Sequence, residues 1–220
     1  MSRLHDLYSE QGQSPWLDNL KRSWIVSGEL QGWVDRGARG ITSNPSIFQK
    51  AMTGTDAYDE QLRSLTAEGA SVEESYWKLV VRDIMDALEI LRPVHESSDG
   101  LDGYVSVEVD PRLATDTEGT IAAARELHGR IDRPNLYVKI PATTEGIPAI
   151  HRMISEGRSI NITLIFSLDR YREVMEAYMS GLESCQGDLS GVSSVASFFI
   201  SRTDNEVDRR LDVLGGPEAH

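Results

Sequence analysis

The sequence predicts an α/β domain built on parallel strands, and two observations support this prediction. Strand-like and helix-like segments alternate along the whole chain, which is typical of parallel sheets connected by helices. The chain also has 220 residues, of which 40% are hydrophobic and 26% are charged, enough to bury one core. We therefore expect residues 1–220 to form a single domain without a linker.

Six short apolar segments, rich in β-branched residues, predict the strands. They are residues 15–17, 40–45, 104–110, 135–143, 159–166 and 191–200. Helical spacing and capping residues predict helices over residues 4–10, 30–36, 56–68, 72–95, 116–130, 146–156, 167–182 and 205–214. Each predicted strand is thus followed by at least one predicted helix, and the strand at residues 40–45 first runs into a loop.

Composition narrows the class of protein. A net charge of −13 argues against binding to nucleic acid, because a phosphate backbone would repel the chain. No apolar run is long enough to cross a bilayer, and the first residues do not resemble a signal peptide. The single cysteine, Cys185, suits a reducing compartment, and the five histidines show no metal-ligand spacing. We expect a cytoplasmic protein with neither membrane nor nucleic-acid partners, and no metal.

Lys139 is the most informative residue, because it interrupts an apolar strand. The chain has only four lysines against eighteen arginines, and the other three lie in polar segments. Burial of a lysine in low dielectric lowers its pKa, and such amines form Schiff bases with carbonyl substrates. The alternative is that the side chain reaches water at the strand end or pairs with a carboxylate.

Polar residues occur within each predicted strand or just after its end. They are Asp18, Asn44, Glu108, Lys139, Asn161, Thr163, Ser197 and Arg202. In a β/α barrel the chemistry gathers at the carboxyl ends of the strands, so their joint pattern favours an active site. Each residue by itself is equally well explained as a hydrogen-bonded polar group of the core.

The segments that carry these residues resemble the transaldolase family, most closely its actinobacterial branch. They are residues 16–20 (WLDNL), 42–46 (TSNPS), 107–110 (VEVD), 138–143 (VKIPAT), 161–167 (NITLIFS) and 194–202 (SVASFFISR). The resemblance implies a TIM (β/α) barrel of the Schiff-base aldolase superfamily. It also implies a transferase of the pentose phosphate pathway that moves a dihydroxyacetone unit from a ketose phosphate to an aldose phosphate.

The resemblance also implies a role for each site residue. Lys139 would be the Schiff-base lysine, so no metal or organic cofactor would be needed. Asp18 would be the general acid and base for carbon–carbon cleavage, and Glu108 with Thr163 would hold the water that moves protons at the imine.

The remaining site residues would bind the substrate by the same resemblance. Asn44 and Asn161 would bind the hydroxyls of the dihydroxyacetone unit. Ser197 and Arg202 would bind the phosphate.

The chain departs from the family in one respect: it shows about six β/α units, whereas the family barrel has eight. A phosphate-binding arginine of the seventh strand would be absent. The sequence fits a fragment, a short protein whose barrel is completed by oligomerisation, or a diverged relative with another acceptor, and we favour the last two. Alternatives to transfer to erythrose 4-phosphate are transfer to ribose 5-phosphate in a secondary-metabolite pathway, cleavage resembling that of fructose-6-phosphate aldolase, and sugar-phosphate binding without turnover.

Overall fold

A computed structural model describes residues 2–216 of the chain and confirms the predicted α/β architecture. One sheet holds all six strands found there, in the order β1 to β6, with every neighbouring pair parallel. The strands are β1 (Trp16–Leu17), β2 (Gly40–Thr42), β3 (Val105–Glu108), β4 (Leu136–Pro141), β5 (Ile160–Ile165) and β6 (Ser194–Phe198). Sequential strands are therefore neighbours throughout, as in one half of a β/α barrel.

Ten α-helices lie within the described residues. They are α1 (Arg3–Gln11), α2 (Arg22–Ser27), α3 (Glu29–Asp35), α4 (Pro45–Thr53), α5 (Asp59–Ala67), α6 (Val72–Ser97), α7 (Thr117–Ile131), α8 (Gly146–Ser155), α9 (Leu168–Ser184) and α10 (Ile200–Leu214), and a short 3-10 helix spans Pro111–Leu113. The predicted positions of most of these helices are confirmed.

Two helices are missing from the sequence-based prediction and one predicted helix start is wrong, each for a local reason. Helix α2 was not predicted because it is short and its N-cap residue, Lys21, makes no side-chain capping bond. Helix α4 was taken for a loop, although the Asn44 side chain caps it and Pro45 follows at the first helical position. Helix α10 begins at Ile200 rather than at the predicted residue 205. The prediction was wrong because the apolar run that ends at Ile200 resembles a strand.

The convex face of the sheet carries the hydrophobic core. Along β4, Val138 and Ile140 point to this face, alternating with residues that point to the concave side, as a pleated strand requires. Helices α6 to α9 cover the face with completely or almost completely buried side chains. These include Ile84, Leu88, Ala124, Leu127, Ile150, Met153 and Val174.

The concave side of the sheet is curled, and an aromatic layer closes its amino end. The ring of Trp16 on β1 stacks on that of Tyr137 on β4 with centroids 6.1 Å apart, although these strands are not neighbours. The ring of Tyr104, just before β3, also stacks on that of Tyr137, with centroids 4.0 Å apart. Ser193, just before β6, hydrogen-bonds both phenolic oxygens, at 2.5 Å from Tyr137 and 3.1 Å from Tyr104. These contacts form a floor beneath the carboxyl ends of the strands.

Helix α10 differs from the other long helices because it buries no residue within the described part of the chain. Its apolar side chains Ile200, Val213 and Leu214 are exposed, as is Phe198 at the end of β6. None of the helices in residues 2–216 is long and apolar enough to span a bilayer.

His128 on α7 provides a testable link between burial and pH. Its ring is buried, and Nε2 finds no hydrogen-bond partner within residues 2–216. Burial, and secondarily the charge of Arg158, lower the pKa of His128 to about 4. The unfolded chain, with an ordinary histidine pKa, therefore binds more protons than the folded chain between about pH 4 and pH 6.5.

We expect His128→Leu to remove part of the acid sensitivity of the fold. Because of this difference in pKa, the free energy of unfolding falls by about 3 kcal/mol in total as the pH is lowered from neutral to below 4. About 2 kcal/mol of that decrease occurs between pH 7 and pH 5. Urea unfolding at both pH values measures this loss. His151→Gln, which removes a half-buried histidine from α8, is the control and should retain the wild-type loss. Equal losses in wild type and His128→Leu would contradict the prediction.

Candidate active site

Lys139, Glu108 and Asn161 occupy one row across the centre of the sheet. Strand pairing aligns Glu108 with Lys139 and Lys139 with Asn161, so their side chains lie at the same level on three adjacent strands. Lys139 follows Tyr137 by two residues, so it points to the concave side, one layer above the aromatic floor. The row therefore lies inside the curled sheet, toward the carboxyl ends of its strands.

Lys139 is buried, and its ammonium group has two polar partners. Its side chain is 5% exposed, Nζ donates a hydrogen bond to the carbonyl oxygen of Ser43 at 3.0 Å, and Nζ lies 3.4 Å from Oε2 of Glu108. The side chain therefore does not reach water at the strand end, and it pairs with a carboxylate, as the alternative to catalysis expected. This pairing is compatible with a nucleophilic lysine, because the same carboxylate can accept the proton that the ammonium must lose.

The side-chain amide of Asn161 is held at both ends. Its Nδ2 donates to Oγ of Ser106 at 3.0 Å, and its Oδ1 accepts from Oγ of Ser197 at 2.8 Å. Ser106 and Ser43 are completely buried, and Ser43 donates from its hydroxyl to the carbonyl of Ser106 at 2.7 Å. Sequence reasoning missed both serines, although each adjoins or lies within a segment that carries a predicted site residue.

Thr163 brings an unsatisfied hydroxyl group toward the same region. It is 1% exposed, and its Oγ1 has no hydrogen-bond partner among residues 2–216. The strand pairing aligns Thr163 with Pro141, two residues beyond Lys139. The next residue, Leu164, adopts a left-handed backbone conformation (φ +62°) at an irregularity in the pairing of β5 with β6. Such strain in a non-glycine residue clusters at functional sites.

The remaining predicted site residues lie around this cluster rather than in contact with it. Asp18 is exposed in a bend immediately after β1. Asn44 accepts a hydrogen bond from the backbone N–H of Ile47 at 3.0 Å through Oδ1, which caps α4. Arg202 lies just past β6, as predicted, and is exposed on α10 with its guanidinium 4.5 Å from the ring centroid of Phe199. The predicted phosphate-binding role of Arg202 is not tested by this contact.

Tyr76 on α6 adds a further residue to this end of the sheet. Its pKa is raised to about 12 by burial, and further by the negative charges of Asp110 and Glu108. Within residues 2–216, no group of three or more histidine, cysteine, aspartate or glutamate side chains could hold a metal ion. The arrangement can support covalent amine chemistry and proton transfer between Glu108 and Lys139.

The family model described as transaldolase/fructose-6-phosphate aldolase matches residues 15–218, which include the whole row of site residues. The chain belongs to this family. It is 54% identical to the transaldolase of Thermobifida fusca and 54% identical to that of Saccharopolyspora erythraea, in each case over 96% of this chain. It is 52% identical to transaldolase 2 of Streptomyces avermitilis over the same share. The chain spans about 58% of the length of these transaldolase relatives.

Proposed function

We propose that this chain carries the Schiff-base chemistry of a transaldolase, with Lys139 as the nucleophile. The observation that carries the proposal is the position of Lys139. This residue lies within the segment that the family model matches, and its side chain is buried. Its Nζ lies 3.4 Å from Oε2 of Glu108, and it pairs with Asn161 on the neighbouring strand. A buried amine whose neighbouring carboxylate can act as a base is one of the arrangements that activate a lysine nucleophile. The substrates, the transfer and the pathway are part of this proposal.

The first half of the reaction converts a ketose phosphate into a bound enamine. The ammonium of Lys139 gives a proton to Glu108, and the free amine attacks the C2 carbonyl of the substrate to form a carbinolamine. Loss of water then forms a protonated imine, with Glu108 and a water held by the Thr163 hydroxyl moving the protons. When Asp18 removes the proton of the C4 hydroxyl, the C3–C4 bond breaks. Its electron pair moves to the imine nitrogen, and an aldose phosphate leaves.

The second half returns the enzyme to its free state. The enamine carbon attacks the aldehyde of a second aldose phosphate, Asp18 returns its proton to the new hydroxyl, and water hydrolyses the imine. During both halves the amide of Asn161 can bind a substrate hydroxyl in a fixed orientation, because Ser106 and Ser197 hold it. A preorganised amide loses little freedom on binding, which favours attack in the correct geometry.

The family description also includes fructose-6-phosphate aldolase, so simple cleavage is the second candidate function. An acceptor separates the two. We expect fructose 6-phosphate alone to yield about one equivalent of aldose phosphate per chain, because the three-carbon unit stays bound. Adding erythrose 4-phosphate should allow many turnovers and form a seven-carbon ketose phosphate, measured by mass spectrometry. Release of free dihydroxyacetone at the same rate with and without acceptor would establish the lyase instead.

A further inference from the structure

The Arg22–Asp83 ion pair lies outside the row of site residues and belongs to a closed ring of polar contacts. Arg22 begins α2, Asp83 lies in the middle of α6, and their side chains are 10% and 0% exposed. The Nε of Arg22 donates to Oδ1 of Asp83 at 2.6 Å. Tyr58, just before α5, donates from its hydroxyl to Oδ2 of Asp83 at 2.7 Å and accepts from the backbone N–H of Arg22 at 3.2 Å.

This ring fixes the start of α2, a helix that has little means of fixing itself. The helix has only six residues, and Lys21 at its N-cap gives no side-chain capping bond. Short helices without caps are marginal in isolation, so external contacts must hold them. The Tyr58 hydroxyl supplies the missing acceptor, the guanidinium of Arg22 also binds the Leu79 carbonyl at 3.2 Å, and the same guanidinium lies 4.3 Å from the Tyr58 ring centroid.

The segment that this ring holds is the one that carries Asp18. Three residues separate Asp18 from Arg22, and among them Leu20 is completely buried in the core. Asp18 itself makes no side-chain hydrogen bond or ion pair with any residue in the 2–216 range. At the other end of this segment, Trp16 is held by the stacking of its ring on that of Tyr137. The position of Asp18 therefore depends on the two ends of its segment.

We infer that Arg22, Tyr58 and Asp83 are positioning residues that hold Asp18 in place for carbon–carbon cleavage. The inference rests on the proposed function, because it assigns Asp18 the proton of the C4 hydroxyl. The three residues touch neither the substrate site nor Lys139; they act through the backbone between Asp18 and Arg22. Misplacement of a catalytic group by about 1 Å can cost roughly a hundredfold in rate, so a distant anchor can control the cleavage step.

Borohydride trapping distinguishes this role from a general structural one. If Asp18 is misplaced, Lys139 still forms the imine with fructose 6-phosphate, but the C3–C4 bond survives and reduction traps the six-carbon adduct. The wild-type chain should instead be trapped mainly as the three-carbon adduct. We expect Tyr58→Phe and Asp83→Asn to raise the ratio of six-carbon to three-carbon adduct by roughly ten- to a hundredfold, as measured by intact mass.

Glu156→Gln is the control, since it alters another carboxylate that pairs with an arginine of a different helix. Glu156, just after α8, accepts from Nε of Arg125 on α7 at 2.9 Å. Among residues 2–216, neither side chain forms a hydrogen bond or ion pair with the segment that carries Asp18. This variant should keep the wild-type adduct ratio. Hydrogen exchange should rise over residues 18–27 in Tyr58→Phe and Asp83→Asn, and remain at the wild-type rate there in Glu156→Gln.

The outcomes separate the inference from the proposed function. A three-carbon adduct in the wild type with an unchanged ratio in both folded variants overturns the inference alone, as does unchanged exchange over residues 18–27. A wild-type chain that yields no adduct on Lys139 overturns the proposed function, and the inference with it. Tyr58→Phe, which leaves the Arg22–Asp83 pair intact, provides the answer if Asp83→Asn does not fold.

Discussion

Lys139→Met should abolish the adduct that borohydride traps and lower transfer by at least about a thousandfold, because the covalent route is lost entirely. Methionine has a similar length and suits a buried position, so the apolar surroundings of β4 are preserved. The substitution leaves Glu108 without its cation, and its side chain is only 13% exposed. We therefore expect a loss of stability as well, which urea unfolding should measure before activity is compared.

The control for this prediction is Lys78→Met, which removes a lysine whose side chain is 45% exposed on α6. It should retain the adduct and the wild-type rate. Peptide mapping of the trapped wild-type chain should place the added mass on residues 136–141. An adduct of wild-type yield in folded Lys139→Met would refute the role of Lys139, whichever lysine then carried the mass.

Of the single substitutions proposed for this chain, Arg22→Met should lower the free energy of unfolding the most. Asp83 would remain completely buried without its cation, and breaking a buried ion pair in this way typically costs about 3–5 kcal/mol. In the native chain burial raises the pKa of Asp83, whereas the hydrogen bonds from Tyr58 and Arg22 oppose that shift. Removal of Arg22 takes away one opposing contact, so the folded chain will hold the Asp83 proton more tightly still.

The pH dependence of that loss has a definite sign. A carboxyl group whose pKa is raised on folding makes the folded state bind more protons than the unfolded state, so stability falls as pH rises. The difference between wild type and Arg22→Met should therefore be larger at pH 7 than at pH 5 in urea unfolding. The double variant Arg22→Met/Asp83→Leu should recover much of the loss, because no buried charge remains. A double variant no more stable than Arg22→Met would contradict this explanation.

Local sequence patterns were sufficient for the strands and for the central lysine. The β4 segment is apolar and β-branched on both sides of Lys139, which makes a charged residue there conspicuous. Glu108, Asn161 and Ser197 were found because each follows or interrupts a similar apolar run, and the structure places all three beside Lys139 or its neighbour on β5. Their individual catalytic roles stay predictions.

Local patterns failed where a residue's partner is distant in the chain. The prediction that α10 begins at residue 205 was wrong because the apolar residues at 198–200 suit a strand and the first turn of an amphipathic helix equally well. Ser43 contributes to the site through its backbone carbonyl, which binds Lys139 whatever side chain the residue has. A backbone acceptor leaves no mark in the sequence, so only the structure could reveal it.

Local sequence was enough to predict the alternation of strands and helices, the burial of Lys139 and the polar character of one end of the sheet. These properties follow from hydrophobic periodicity and residue chemistry over short stretches of chain. In contrast, the folded structure was needed to show that Lys139 meets Glu108 at the same register position and that Arg22 pairs with Asp83, 61 residues away. Such contacts depend on strand register and on how helices pack against the sheet, and both arise from interactions across the whole core.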